Sequence, residues 1–231
     1  MEIKEKFIAT FVKENRYDFF IKGLSNTLII SICAALLGIL IGFLIAIIRT
    51  THDNNKKKNV FLDVLNIFAK VYLTVIRGTP ATVQLLIMYY IIMSNSTNKI
   101  LIAIMTFGIN SGAYVAEIVR SGIQSIDKGQ FEAGRSLGLS YAKTMWFIIV
   151  PQAFKNVLPA LANEFITLLK ETSISGYIAL NDLTRAGDII RSLTYETYFP
   201  LFTVAENYLL MVMVLTNLVG KLERRLKKNE R

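Results

Sequence analysis

Between Leu28 and Ile48 the chain runs for 21 residues without a charge, LIISICAALLGILIGFLIAII. As a helix rising ~1.5 Å per residue, this stretch reaches about 30 Å, the thickness of a bilayer's hydrocarbon core. Ile100 to Ala116 adds 17 uncharged residues, and Tyr198 to Gly220 carries Glu206 as its one charge. Hydrophobic residues make up 53% of the 231, and the mean hydropathy of +0.44 is too high for a soluble domain that must cover its core. The expectation is an all-α integral membrane protein with about five transmembrane helices.

The formal net charge is +9, but the basic residues gather in short loops and at the end. Arg49 to Asn59 holds Arg49, Lys56, Lys57 and Lys58 against Asp53, and Lys221 to Arg231 holds six basic residues against Glu223 and Glu230. That is positive-inside topology rather than a nucleic-acid footprint, so no nucleic acid is expected as a partner. The first span then runs inward from an external N-terminus, and the C-terminus lies inside. One cysteine, Cys33, and one histidine, His52, exclude a disulfide framework or a Cys/His metal site within one chain. Residues 1–22 show no cleavable signal and read as an amphipathic lead-in, 23–220 as the transmembrane domain, and 221–231 as a basic cytoplasmic tail.

Val60 to Ile76 places Asp63, Asn66, Lys70 and Thr74 on one helical stripe. At Arg77-Gly78-Thr79-Pro80, Thr before Pro predicts a new helix from Pro80, with Thr79 as its cap. The 14 residues to Met93 make only ~21 Å of helix. Parity therefore favours a single pass shared with the preceding helix. Gly38/Gly42 and Gly108/Gly112 are GxxxG pairs, suited either to close helix approach or simply to a lipid face. Asn110, Tyr114 and Glu117 share a face, with Arg120 placed to pair with Glu117. On the span Gln152 to Lys170, the residues Gln152, Asn156, Pro159, Asn163, Thr167 and Lys170 form a polar stripe with Glu164 beside it. An ion at mid-bilayer costs ~2.5–3.5 kcal/mol, so this stripe must face protein or water. Residues 171–200 are polar, with helical hints from Asp182 to Thr194. Asp182, Asp188, Asp127 and Glu132 fall in polar segments, where solvated surface is the default.

Gly129 to Pro151, GQFEAGRSLGLSYAKTMWFIIVP, is polar and punctuated by glycine. Gly129-Gln130 opens a short helix, Glu132 falls in about its first turn, and Gly138 sits where a left-handed cap would close it. A second helical run leads to Pro151. With Glu132, Ala133, Gly138, Ile148 and Pro151 at the characteristic spacing, the segment resembles the EAA loop of ABC-importer permeases; Gly134 replaces the usual second Ala and Val150 a usual Leu. The flanks AYVAEIVRSGIQSIDKGQ and PQAFKNVLPALANEFITLLKETSI resemble the polar-amino-acid branch of that family, and the likeness runs from about Gly23 to Gly220.

The resemblance implies a type I ABC importer permease fold in a bacterial cytoplasmic membrane, crossed several times. Two copies, or this chain and a homologous permease, would form the pore. A pair of ABC ATPase subunits would hold ATP and Mg, this chain binding no cofactor, and an extracytoplasmic binding protein would deliver a polar or charged amino acid. Gly129, Glu132, Ala133, Gly134 and Gly138 would form the ATPase-coupling helix. Gly78 and Thr79, at a helix start that offers free N–H groups to a carboxylate, would line the substrate path with Asn163, Glu164 and Thr167; the same turn also reads as a plain membrane-entry turn. The sequence has no GxxxxGK[ST] and no catalytic constellation, so a membrane enzyme is disfavoured. A self-contained carrier using Glu164 and Lys170 is the other class, but it would leave the cytoplasmic lever without a purpose.

Overall fold

The computed structural model describes residues 3–54 and 59–228; Lys56, Lys57 and Lys58 of the basic loop and Glu230 and Arg231 of the tail lie outside the described residues. The described residues are helical almost throughout and contain no strand. A lead-in, α1 (Ile3–Phe7), passes through a π turn at Ile8–Val12 and a 3-10 turn at Lys13–Asn15 into α2 (Tyr17–Asn54). Then follow α3 (Val60–Gly78), α4 (Ala81–Ile87) with a π turn at Met88–Ile92, α5 (Lys99–Gln124) and α6 (Lys128–Ser136). A short α7 (Tyr141–Thr144), a π turn at Met145–Ile149, α8 (Val150–Glu171), a 3-10 stretch at Thr172–Ile178, α9 (Leu183–Thr194) and α10 (Tyr198–Lys228) complete the order.

Among the described residues, four helical runs are long and apolar enough to cross a membrane: Tyr17–Asp53, Lys99–Gln124, Tyr141–Ile178 and Tyr198–Leu226, with Ala81–Ile92 as a shorter apolar one. The fifth expected pass is the region broken at residues 78–80. The break falls one residue later than expected: Pro80, at φ −64° and ψ 137°, is the capping residue, and α4 begins at Ala81. A residue before proline is pushed out of the α region, which ends α3, and the Thr79 hydroxyl accepts a 2.8 Å bond from Gln84 Nε2 instead of capping. Pro151 does not close the run before it. It is the second residue of α8, entered from a π turn in which Val150 N donates to Met145 O. A proline ring crowds the carbonyl four residues back, and the wider turn just ahead accommodates it.

Two compact units each collect three separated stretches of chain. The first comprises Met1–Leu37, Thr79–Gly108 and Phe165–Asn217. One part of its core packs Ile30, Ala34, Leu85, Ile102, Phe107 and Leu168; another packs Phe20, Leu183, Ala186, Ile190 and Val204. Polar bonds between distant stretches accompany them. Asn26 Nδ2 donates to Asn181 O at 2.8 Å, and Leu183 N donates to Thr27 Oγ1 at 3.1 Å. Lys6 Nζ meets Glu196 at 2.8 Å, tying the lead-in to the residues before α10. Asp182 caps α9 by accepting from Thr184 N and Arg185 N, both at 3.1 Å. Contrary to the expected solvated surface, Asp182 is fully buried. Burial pushes its carboxyl up to about 6, and the backbone bonds offset only part of that effect.

The second unit comprises Gly38–Gly78, Ile109–Glu164 and Leu218–Arg231. Here the glycine alternative is settled. A Cβ on Gly38 would lie 3.0 Å from Ser111 Cβ, and one on Gly42 only 2.4 Å from Val115 Cγ1 and 2.9 Å from the Ala116 nitrogen. A Cβ on Gly112 would lie 2.9 Å from Ile41 Cγ2, so α2 and α5 meet backbone to backbone rather than facing lipid at these positions. Tyr72 on α3 donates to Ile109 O at 2.6 Å. Of the polar stripe on α3, Asn66 is buried, whereas Asp63, Lys70 and Thr74 are exposed.

Candidate functional site

The polar foot is built by local chemistry. The Asp127 carboxylate accepts from Gly129 N at 2.6 Å and caps α6, so the helix starts at Lys128, one residue earlier than expected, and Glu132 sits in its second turn. At the other end Gly138 adopts φ +77°, a conformation that costs a residue with a Cβ. Gly138 N then bonds Arg135 O at 2.9 Å and Leu139 N bonds Gly134 O at 3.1 Å. This pair is a Schellman closure. Ser140 caps α7 by accepting from Lys143 N at 3.4 Å.

Gly134 is buried: its Cβ position is 2.6 Å from Thr144 Cγ2 and 3.2 Å from Ile148 Cδ1, so a second Ala here would press α6 off its own chain. Gly129, Glu132, Ala133, Ser136 and Leu137 are exposed along the other side of α6, and Leu137 is 78% exposed. Spacings of three and four put these five on one face. A cavity of about 530 Å³ borders the foot and is lined by Asp53, Arg120, Lys128, Glu132, Arg135 and Tyr141.

A second feature lies further along the same run. Arg77, Tyr114, Glu117, Ser125, Asn156 and Glu164 line a cavity of about 490 Å³. Three helices of the second unit contribute to it. The Glu164 carboxylate accepts from Ser111 Oγ at 2.9 Å, and Asn156 Nδ2 donates to Ser125 Oγ at 2.9 Å. Glu117 receives both Nη2 and Nε of Arg120, the pairing expected from their spacing.

Of the stripe on α8, Asn156, Asn163, Thr167 and Lys170 are exposed, while burial on that helix falls on Ala153, Val157, Ile166, Leu168 and Leu169. Glu164 lines the cavity; Gly78, Thr79, Asn163 and Thr167 do not. Sequence reasoning left out Arg77 and Ser125 as cavity residues. Arg77 carried one usable signal, a cation at the very end of an apolar helix.

Residues 38–228 match the family of binding-protein-dependent transport system inner membrane components. The putative glutamine transport system permease GlnP of Rickettsia typhi is 39% identical over 90% of this chain and 93% of its own length. The arginine transport system permease ArtQ of Bacillus subtilis is 37% identical over 92% of this chain and 94% of its own. Among solved structures, a chain of an amino acid ABC transporter with histidines superposes with a TM-score of 0.82 at 41% identity, covering 90% of this chain and 94% of that one. A chain of the inward-facing MetNI methionine ABC transporter has a TM-score of 0.78 at 16% identity, a likeness of fold.

Proposed function

We propose that this chain, which belongs to the binding-protein-dependent transport system inner membrane component family and is a multi-pass permease of an amino-acid ABC importer, moves a polar or charged amino acid such as glutamine or arginine across a bacterial cytoplasmic membrane. Its partners are a pair of ATPase subunits carrying ATP and Mg, an extracytoplasmic binding protein, and a second permease copy or homologue. The observation that carries this reading is the exposed face of α6 at the head of a helical run leading to Glu164. Gly129, Glu132 and Ala133 present that face to the ATPase, Gly134 seats the foot on its own chain, and Gly138 fixes the turn. ATP-driven closure of the ATPase pair draws the feet of two permeases together and switches access to the path between the two sides of the membrane.

Glu164 receives the ammonium or a cationic side chain, and Gly78, Thr79, Asn163 and Thr167 line the rest of the path. The test replaces Glu164 by Gln and Thr79 by Val in the assembled transporter and measures uptake together with substrate-stimulated ATP hydrolysis. Weaker apparent affinity with intact assembly is expected of both. Unchanged affinity and rate would remove them from the path. Uptake driven by an ion gradient without ATPase partners would favour the self-contained carrier instead.

A further inference from the structure

Two cavities of the second unit adjoin where the spans reach the foot. The first, about 390 Å³, is apolar and lined by Phe43, Ile47, Val119, Trp146 and Phe154. The second, about 530 Å³, carries Asp53, Arg120, Lys128, Glu132 and Arg135. Thr50, Ile123 and Tyr141 line both, so α2, α5 and α7 supply shared walls. The uncharged run of α2 ends at Ile48, between Ile47 of one cavity and Asp53 of the other. Trp146, 70% exposed, and Tyr141, 40% exposed, stand near that changeover. Amphipathic rings favour the boundary between hydrocarbon and headgroups. The ion pairs of the polar cavity lead out of it: Arg120 holds Glu117, and Asp53 meets His52 at 3.5 Å. Among the described residues, Lys128, Glu132 and Arg135 enter no ion pair. On α6, spacings of three and four put Lys128, Phe131 and Arg135 on one face, apart from the exposed face of Ala133 and Leu137.

We propose that the two cavities together hold one phospholipid whose headgroup carries a primary ammonium, such as phosphatidylethanolamine. An acyl chain lies in the apolar cavity, whose wall on α2 runs from Phe43 to Thr51, about 12 Å. The phosphate meets Lys128 and Arg135, and the ammonium meets Asp53. A headgroup of both signs suits a cavity that presents both, whereas a purely anionic one would set a phosphate against Asp53 with nothing to offset it. A primary ammonium offers N–H donors to a carboxylate, and a trimethylammonium has none. A lipid held this way bridges the end of α2 to α6 and α7. The site rests on the membrane-spanning fold and uses no residue of the proposed substrate path.

The assay places the assembled transporter in phosphatidylcholine vesicles in which a growing minor fraction of the lipid has brominated acyl chains. Bromine quenches tryptophan at contact, and Trp146 is the only tryptophan of this chain. Its share of the emission is the part lost in Trp146→Phe. Brominated phosphatidylethanolamine is expected to compete for the site at least about fivefold better than brominated phosphatidylcholine. Asp53→Asn brings the two lipids within about twofold, and Asp53→Glu, which keeps the carboxylate, retains the preference. Lys128→Gln combined with Arg135→Gln weakens both lipids several-fold. Ala142→Phe, which fills the apolar cavity, also weakens both. Equal competition by the two lipids in wild type would overturn the site. So would brominated phosphatidylglycerol outranking phosphatidylethanolamine, an unchanged preference in Asp53→Asn, or a Trp146 that no brominated lipid quenches because a second permease covers it. Quenching is read without transport, so a different substrate leaves the site standing. Absence of the lipid preference with normal uptake strikes the site alone.

Discussion

The two units are held by different chemistry. In the first, the start of α2 is joined to Asn181 and to the first residue of α9 by hydrogen bonds that reach 155 and 156 residues along the chain, around a buried carboxyl. In the second, α2 and α5 close through small residues, with Gly38 and Gly42 seated against Ser111, Gly112, Val115 and Ala116. Polar bonds in an apolar setting are specific but pH-dependent when one partner titrates. A glycine seam has no charge to titrate and fails only when its shape is changed.

The largest test of that contrast is pH. The carboxyl of Asp182 is raised by burial from 3.8 to about 6. A group whose folded value is raised contributes stability that is complete below pH 3.8 and lost as pH climbs through about 6. The loss is roughly 3 kcal/mol over that window. Denaturation of the detergent-solubilised protein between pH 4 and 8 measures it. Asp182→Asn, which caps a helix without a charge, should flatten the slope; an unchanged slope would remove the buried carboxyl from the contrast.

Next comes shape. Gly42→Leu drives a side chain into Val115 and the Ala116 backbone, at a cost of about 1–3 kcal/mol that should not vary with pH. Thermal unfolding reads it, and Val115→Ala in the same chain should recover part of the loss. If Gly42→Leu is neutral, the seam is not what closes the unit.

A smaller effect belongs to the foot. Gly138→Ala places a Cβ at φ +77°, costing about 1–2 kcal/mol locally. Substrate-stimulated ATP hydrolysis should fall while substrate affinity, measured by titration, stays put. Ser140→Ala removes a single 3.4 Å cap bond and should cost about 0.5–1 kcal/mol, with coupling nearly intact.

What the sequence made legible follows the same division. The foot could be read because Gly129 and Gly138 mark where the backbone turns, whereas the caps Asp127 and Ser140 were not picked out and the start was placed one residue late. α9 was legible in the same way, from Asp182 onward. The GxxxG pairs marked a seam, but no local signal said that Gly42 meets Val115 rather than lipid. Glu164 stood out as a carboxylate in an apolar span, yet its bond to Ser111, 53 residues away, and its shared cavity with Arg77 depend on which helices meet. The π turn ahead of Pro151 had no residue signature at all, since it records crowding by a ring rather than a side-chain preference.

The helical run from Tyr141 to Glu164 joins the foot to the cavity that Glu164 lines, with no loop between them, over roughly 35 Å. Along such a rod, a displacement at Thr144 or Ile148, where Gly134 bears, is carried toward Asn156 and Glu164 through continuous helix. The wide coil at Met145–Ile149 and Pro159 inside α8 are the two places where this rod departs from regular α-helical hydrogen bonding. On the proposed function, work done on the foot therefore reaches Glu164 through helix alone.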